Sequence, residues 1–73
     1  MRINLEAIQE GVERNKRFIT GSTDWENLLI SFYSAKSYIA ALNDAGIMNH
    51  EEWFEVRNVL QGLYSKREQE LIK

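Results

Sequence analysis

The sequence predicts an all-α protein: an antiparallel helical hairpin over about residues 24–45 and 50–72, preceded by a helix over about 4–20. Three observations predict it. Apolar residues recur at alternating spacings of three and four, proline is absent, and two short stretches carry helix-capping signatures. The 73 residues provide for one domain, 1–73, close to the lower size at which a core supports itself. Small domains of this kind lean on disulfides, a metal or a second subunit, and the absence of cysteine removes the first.

In the N-terminal segment Leu5, Ile8, Val12 and Ile19 fall on one face. The stripe is thin, because Gly11 and Asn15 share that side. Glu10 with Arg14, and Glu13 with Arg17, have the order that favours i,i+4 pairing. Gly21 is expected to end the helix.

The second helix opens at Thr23-Asp24-Trp25-Glu26, a capping-box pattern with Thr23 as the cap. Trp25, Leu28, Phe32, Ala35, Ile39 and Leu42 then form the seam of a helix packed nearly parallel to its neighbour. Gly46 is expected in the left-handed conformation of a Schellman stop, with Ile47 folding back on Leu42. Asn49 and Glu52 make a second capping box, and Met48 and Trp53 stand where a hydrophobic staple belongs. Trp53, Val56, Leu60, Leu63, Tyr64 and Leu71 share the inner face of the third helix. Arg67 falls on the same line and is expected to snorkel outward, while Gly62 offers a place for a bend. A link as short as Gly46–Asn49 makes helices two and three antiparallel neighbours.

Helix two is unusual in its charge. Lys36 is the only charged residue between Glu26 and Asp44. Opposite the seam lie Ile30, Ser34, Ser37, Tyr38, Ala41 and Ala45. A helix apolar or small on both faces is central in its assembly. Either helix one covers the back, closing a three-helix bundle, or a second copy does, giving a dimerising hairpin. Phe18, Tyr33 and Phe54 also fall off the seams.

From Ile39 to Leu60 the chain resembles the short C-terminal domain (SHOCT) family of small helical hairpins. Ile39 and Leu42 precede Gly46-Ile47-Met48-Asn49; His50 and Glu51 fill two variable positions; Glu52-Trp53, Arg57 and Leu60 follow at the family spacing. Asn49 replaces a threonine of the pattern and Trp53 a phenylalanine. The match covers about a third of the chain, and each matched position also has a capping role. The resemblance implies a non-enzymatic role in self-association or protein contact, and carries over no catalytic residue.

Chemistry has little to build on. His50 is the single histidine, so the paired-histidine zinc motif is absent and no metal or cofactor is expected. No Ser–His–acid arrangement is suggested, and the four glycines are dispersed rather than gathered into a phosphate loop. An enzyme with a small-molecule substrate is therefore not expected. No apolar run reaches the length of a membrane span, and the first residues lack a signal-peptide core, so the expected location is the cytoplasm.

The leading expectation is a helical protein-interaction module that binds either itself, as a homodimer or other homo-oligomer, or a partner protein, through Ile30, Tyr33, Ser34, Tyr38 and Ala41, with Phe54 as an outlier. An alternative is a small nucleic-acid-associated protein using Arg14, Lys16, Arg17, Lys66 and Arg67, which parallel first and third helices would bring to one end. Against it stand the net charge of −2 and the dipole reason for basic residues at helix C-termini. A small phage or mobile-element regulator is a third expectation, suggested by size alone.

Overall fold

The computed structural model describes residues 5–72, less the Leu5 side chain. Asn4, expected to open the first helix, lies outside the described residues. Three helices follow one another: α1 (Leu5–Thr20), α2 (Trp25–Asp44) and α3 (His50–Ile72). All three pack against one another in an up-down-up bundle, with the most extensive interface between α2 and α3. The hairpin is present, and α1 closes it into a bundle. No helix among the described residues is long and apolar enough to cross a membrane.

The junctions explain where the helices stop. At the end of α2, Gly46 takes φ +76°. The Ile47 amide donates to the Leu42 carbonyl and the Gly46 amide to the Asn43 carbonyl, the two bonds of a Schellman motif. The Asn43 side chain adds a bond to the Met48 carbonyl. At the start of α3 the Glu52 amide donates to Asn49 Oδ1 at 2.8 Å, and the Asn49 amide donates back to Glu52 Oε1 at 3.3 Å. The expected capping box is thus reciprocal, and Met48 and Trp53 both pack into the core beside it.

The other junction differs from expectation. Asp24, not Thr23, caps α2: its Oδ1 accepts from the Asn27 amide at 2.8 Å, and its Oδ2 from the Asn27 side chain. A carboxylate at the positive helix end outcompetes a neighbouring hydroxyl, and Asn27 adds a second donor. Helix α1 does stop at Thr20, immediately before Gly21 as expected, but Gly21 takes no left-handed conformation. Instead Ser22 Oγ donates to the Phe18 carbonyl at 2.7 Å and draws the chain back over the last turn of α1. The i,i+4 pairs expected on α1 are replaced by one i,i+3 pair, Lys16–Glu13. Helix α3 runs unbroken through Gly62.

Ile19, Leu28, Phe32, Ala35, Ile39, Met48 and Leu60 form the buried core. Burying one such large side chain contributes about 1.5–3 kcal/mol. The α3 residues expected on the inner face are all buried or packed against this core. Trp25, in the first turn of α2, is the exception: it is 54% exposed. Arg67 reaches both outward and inward: its side chain is a quarter exposed, and the guanidinium donates to Glu70 Oε2 at 3.2 Å. Its Nε donates to the Ser22 carbonyl at 2.8 Å, tying α3 to the α1–α2 loop.

Candidate interaction surface

Helix α1 covers its share of α2 at one point by an exchange of volume. Tyr38, half-buried, leans on α1 where Gly11 has no side chain, and a Cβ there would overlap the phenol. Tyr38 is therefore engaged inside the bundle and is not part of the open face. Of the other residues expected to bind a partner, Ile30 and Tyr33 are each 60% exposed, Phe54 is 48% exposed, and Ser34 and Ala41 are open to solvent. Ile30, Ser34, Ser37 and Ala41 recur at spacings of four, three and four, so they form one exposed ridge along α2.

Beside that ridge a shallow groove of about 260 Å³ runs between α2 and α3. Tyr33, Lys36, Ser37 and Ala40 line it from α2, and Trp53 and Arg57 from α3. Both cations lie over rings: Lys36 Nζ is 5.3 Å from the Phe32 centroid and 5.7 Å from that of Tyr33, and the Arg57 guanidinium is 5.6 Å from Trp53. The His50 ring stacks on Trp53 at 5.3 Å. Phe54, three residues before Arg57, stands on the same flank of α3. Periodicity assigned Trp53 to the core and did not pair Lys36 with Arg57, because their meeting depends on the register of two helices. The signals available were a lone lysine in a charge-poor helix and an arginine four residues after a tryptophan.

Farther along the same interface, Tyr64 stacks on Phe32 with centroids 4.4 Å apart and donates to Glu68 Oε2 at 3.0 Å. Burial, and then the neighbouring Glu68 carboxylate, raise the Tyr64 phenol above the ordinary tyrosine value.

The opposite groove, between α1 and α3, has another character. It is larger, about 620 Å³, with an apolar floor that includes Val12 and Val56 and a rim of Glu13, Glu52 and Glu55. Of the basic residues of the nucleic-acid alternative, Lys66 and Arg67 of α3 meet Thr20 of α1 at one end of the bundle, whereas Arg14 and Arg17 line a separate cleft with Glu6, Glu10 and Glu13. They are not a continuous basic surface. Lys16 pairs with Glu13, Arg67 pairs with Glu70, and Arg14 and Arg17 are interleaved with Glu10 and Glu13. Among the described residues no cluster of three His, Cys, Asp or Glu side chains is placed to hold a metal ion.

No family model, curated protein or solved structure matches the chain. The class of protein is therefore defined by fold alone: a small three-helix bundle.

Proposed function

We propose that this protein is a non-catalytic interaction module that works by self-association, two copies packing α2 against α2. The observation that carries the reading is the exposed ridge on a helix with a single internal charge. Ile30 and Tyr33 each leave most of their surface in water, and clustered exposed apolar side chains mark an interface rather than a free surface.

The spacing of the ridge favours a second copy as the occupant. The order Ile30, Ser34, Ser37, Ala41 is symmetric about a point between Ala35 and Lys36. A two-fold axis through that point would set the large Ile30 against the partner's small Ala41, and Ser34 against the partner's Ser37. Such an isologous contact is self-complementary and closes at two subunits. The core is small, with seven buried hydrophobic residues among the described ones, so added burial in a dimer would stabilise the fold. The SHOCT resemblance over residues 39–60 fits self-association and contact with another protein alike.

Ala41→Arg tests the reading. Arginine at that exposed position would set a charge against the partner's Ile30 across the axis. The expected result is loss of the dimer in sedimentation with unchanged helicity by circular dichroism. A variant that remains as associated as the parent sinks the α2 interface; Ile30→Ser, which removes the apolar bulk without adding charge, guards against a purely local effect of arginine.

A further inference from the structure

We propose that the α2–α3 groove is a second docking site, adjoining the α2 ridge and sharing Tyr33 and Ser37 with it, and that its occupant is an acidic amphipathic helix of a partner protein. Charge complementarity favours that occupant. The chain has a net charge of −2, yet no carboxylate lines this groove. Lys36 and Arg57 stand on its two sides, and neither takes part in an ion pair: the pairs among the described residues are Lys16–Glu13 and Arg67–Glu70. Each cation is instead held over an aromatic ring, which positions it without neutralising it.

Between the two cations the surface is apolar or small, with Ile39 and Ala40 at the floor and Tyr33 and Trp53 as walls. A trough between two antiparallel helices, apolar along its middle and cationic on both flanks, fits a third helix with the inverse pattern: an apolar stripe with carboxylates on both sides. Carboxylates reaching Lys36 and Arg57 would make charge-assisted hydrogen bonds at the edge of a partly desolvated strip, where such bonds are strongest. A polynucleotide fits less well. Two cations neutralise few phosphates, and the apolar strip between them has no counterpart on a sugar–phosphate backbone. The α1–α3 groove, rimmed by Glu13, Glu52 and Glu55, provides the contrast within the same molecule.

The experiment is an NMR titration of the uniformly ¹⁵N-labelled full chain with three probes. The first is a blocked helical peptide of about 18 residues, five turns, with a leucine stripe flanked by glutamates. The second is the same peptide with glutamine for every glutamate, and the third is single-stranded oligothymidylate. The acidic peptide is expected to shift the Trp53 indole and the amides around Lys36 and Arg57. It should bind at least about tenfold more tightly than the glutamine peptide, a difference lost in Lys36→Gln/Arg57→Gln. Equal binding of the two peptides overturns the proposal, as does failure of the acidic peptide to bind, or tighter binding of the oligonucleotide to the same residues. Repeating the titration on Ala41→Arg separates this groove from self-association: the proposal requires the acidic preference to survive there.

Discussion

The phenol of Tyr38 occupies the space in which a side chain on Gly11 would have to stand. This pairing lets α1 come close to α2 despite its thin apolar stripe. Glycine in a helix interior costs about 1 kcal/mol relative to alanine, so Gly11→Ala would stabilise an isolated helix. Here the added methyl must displace an aromatic ring, at an overpacking cost of about 1–3 kcal/mol. Gly11→Ala is therefore expected to lower stability in the parent and to raise it by about 0.5–1 kcal/mol when Tyr38 is also alanine. Urea unfolding of the four proteins of that cycle checks the sign. Stabilisation by Gly11→Ala in both backgrounds would mean that the phenol moves aside freely.

The α2 cap separates two adjacent residues. Asp24→Ala removes the acceptor for the Asn27 amide and should cost about 0.5–2 kcal/mol. Thr23→Ala removes no cap and should stay within about 0.5 kcal/mol of the parent. A larger loss at Thr23 than at Asp24 in thermal unfolding would restore the capping box that the sequence suggested.

Gly46 ends α2 at φ +76°, and a Cβ there would meet nothing within 4 Å. The cost of Gly46→Ala is thus backbone strain alone, about 1–2 kcal/mol. Gly46→Asn should recover part of it, because asparagine tolerates the left-handed region better. Equal midpoints for the alanine and glycine proteins in chemical denaturation would contradict this account of the turn.

Tyr64 links stability to alkaline pH. Its phenol is raised above the ordinary value of 10.0 by burial and by Glu68. The folded state therefore keeps this proton where the unfolded chain has lost it. The contribution is fully present below about pH 10 and is lost as pH rises through the folded value. Tyr64→Phe keeps the stack on Phe32 and removes the proton, so its stability should fall less steeply on the alkaline side. Superimposable alkaline limbs for the two proteins would show that Tyr64 is not the group responsible.

Local grammar made the α2–α3 hairpin legible. Gly46, Asn49 and Glu52 act within a few residues of one another, and so do the bonds they make. The inner faces followed from periodicity for the same reason. What depended on another helix was not legible. Trp25 fits the seam by spacing yet is 54% exposed at the start of α2, and Arg67 falls on the inner line of α3 yet reaches the Ser22 carbonyl in the α1–α2 loop. Tyr38 fits the outer face by spacing but turns to the gap at Gly11. The exposed ridge was visible from composition, whereas the meeting of Lys36 with Trp53 and Arg57 required the α2–α3 register.

Self-association through α2 shows directly in the molar mass of the protein in solution. Sedimentation equilibrium should be run on the full chain from about 1 μM to about 1 mM, the span over which a specific dimer of ordinary strength forms. The account predicts a mass that rises with concentration from the chain value of 8.6 kDa to a plateau at twice that, and a plateau abolished by Ala41→Arg. A mass that stays at the chain value throughout would contradict it and leave the ridge of Ile30, Ser34, Ser37 and Ala41 without a second copy to cover it.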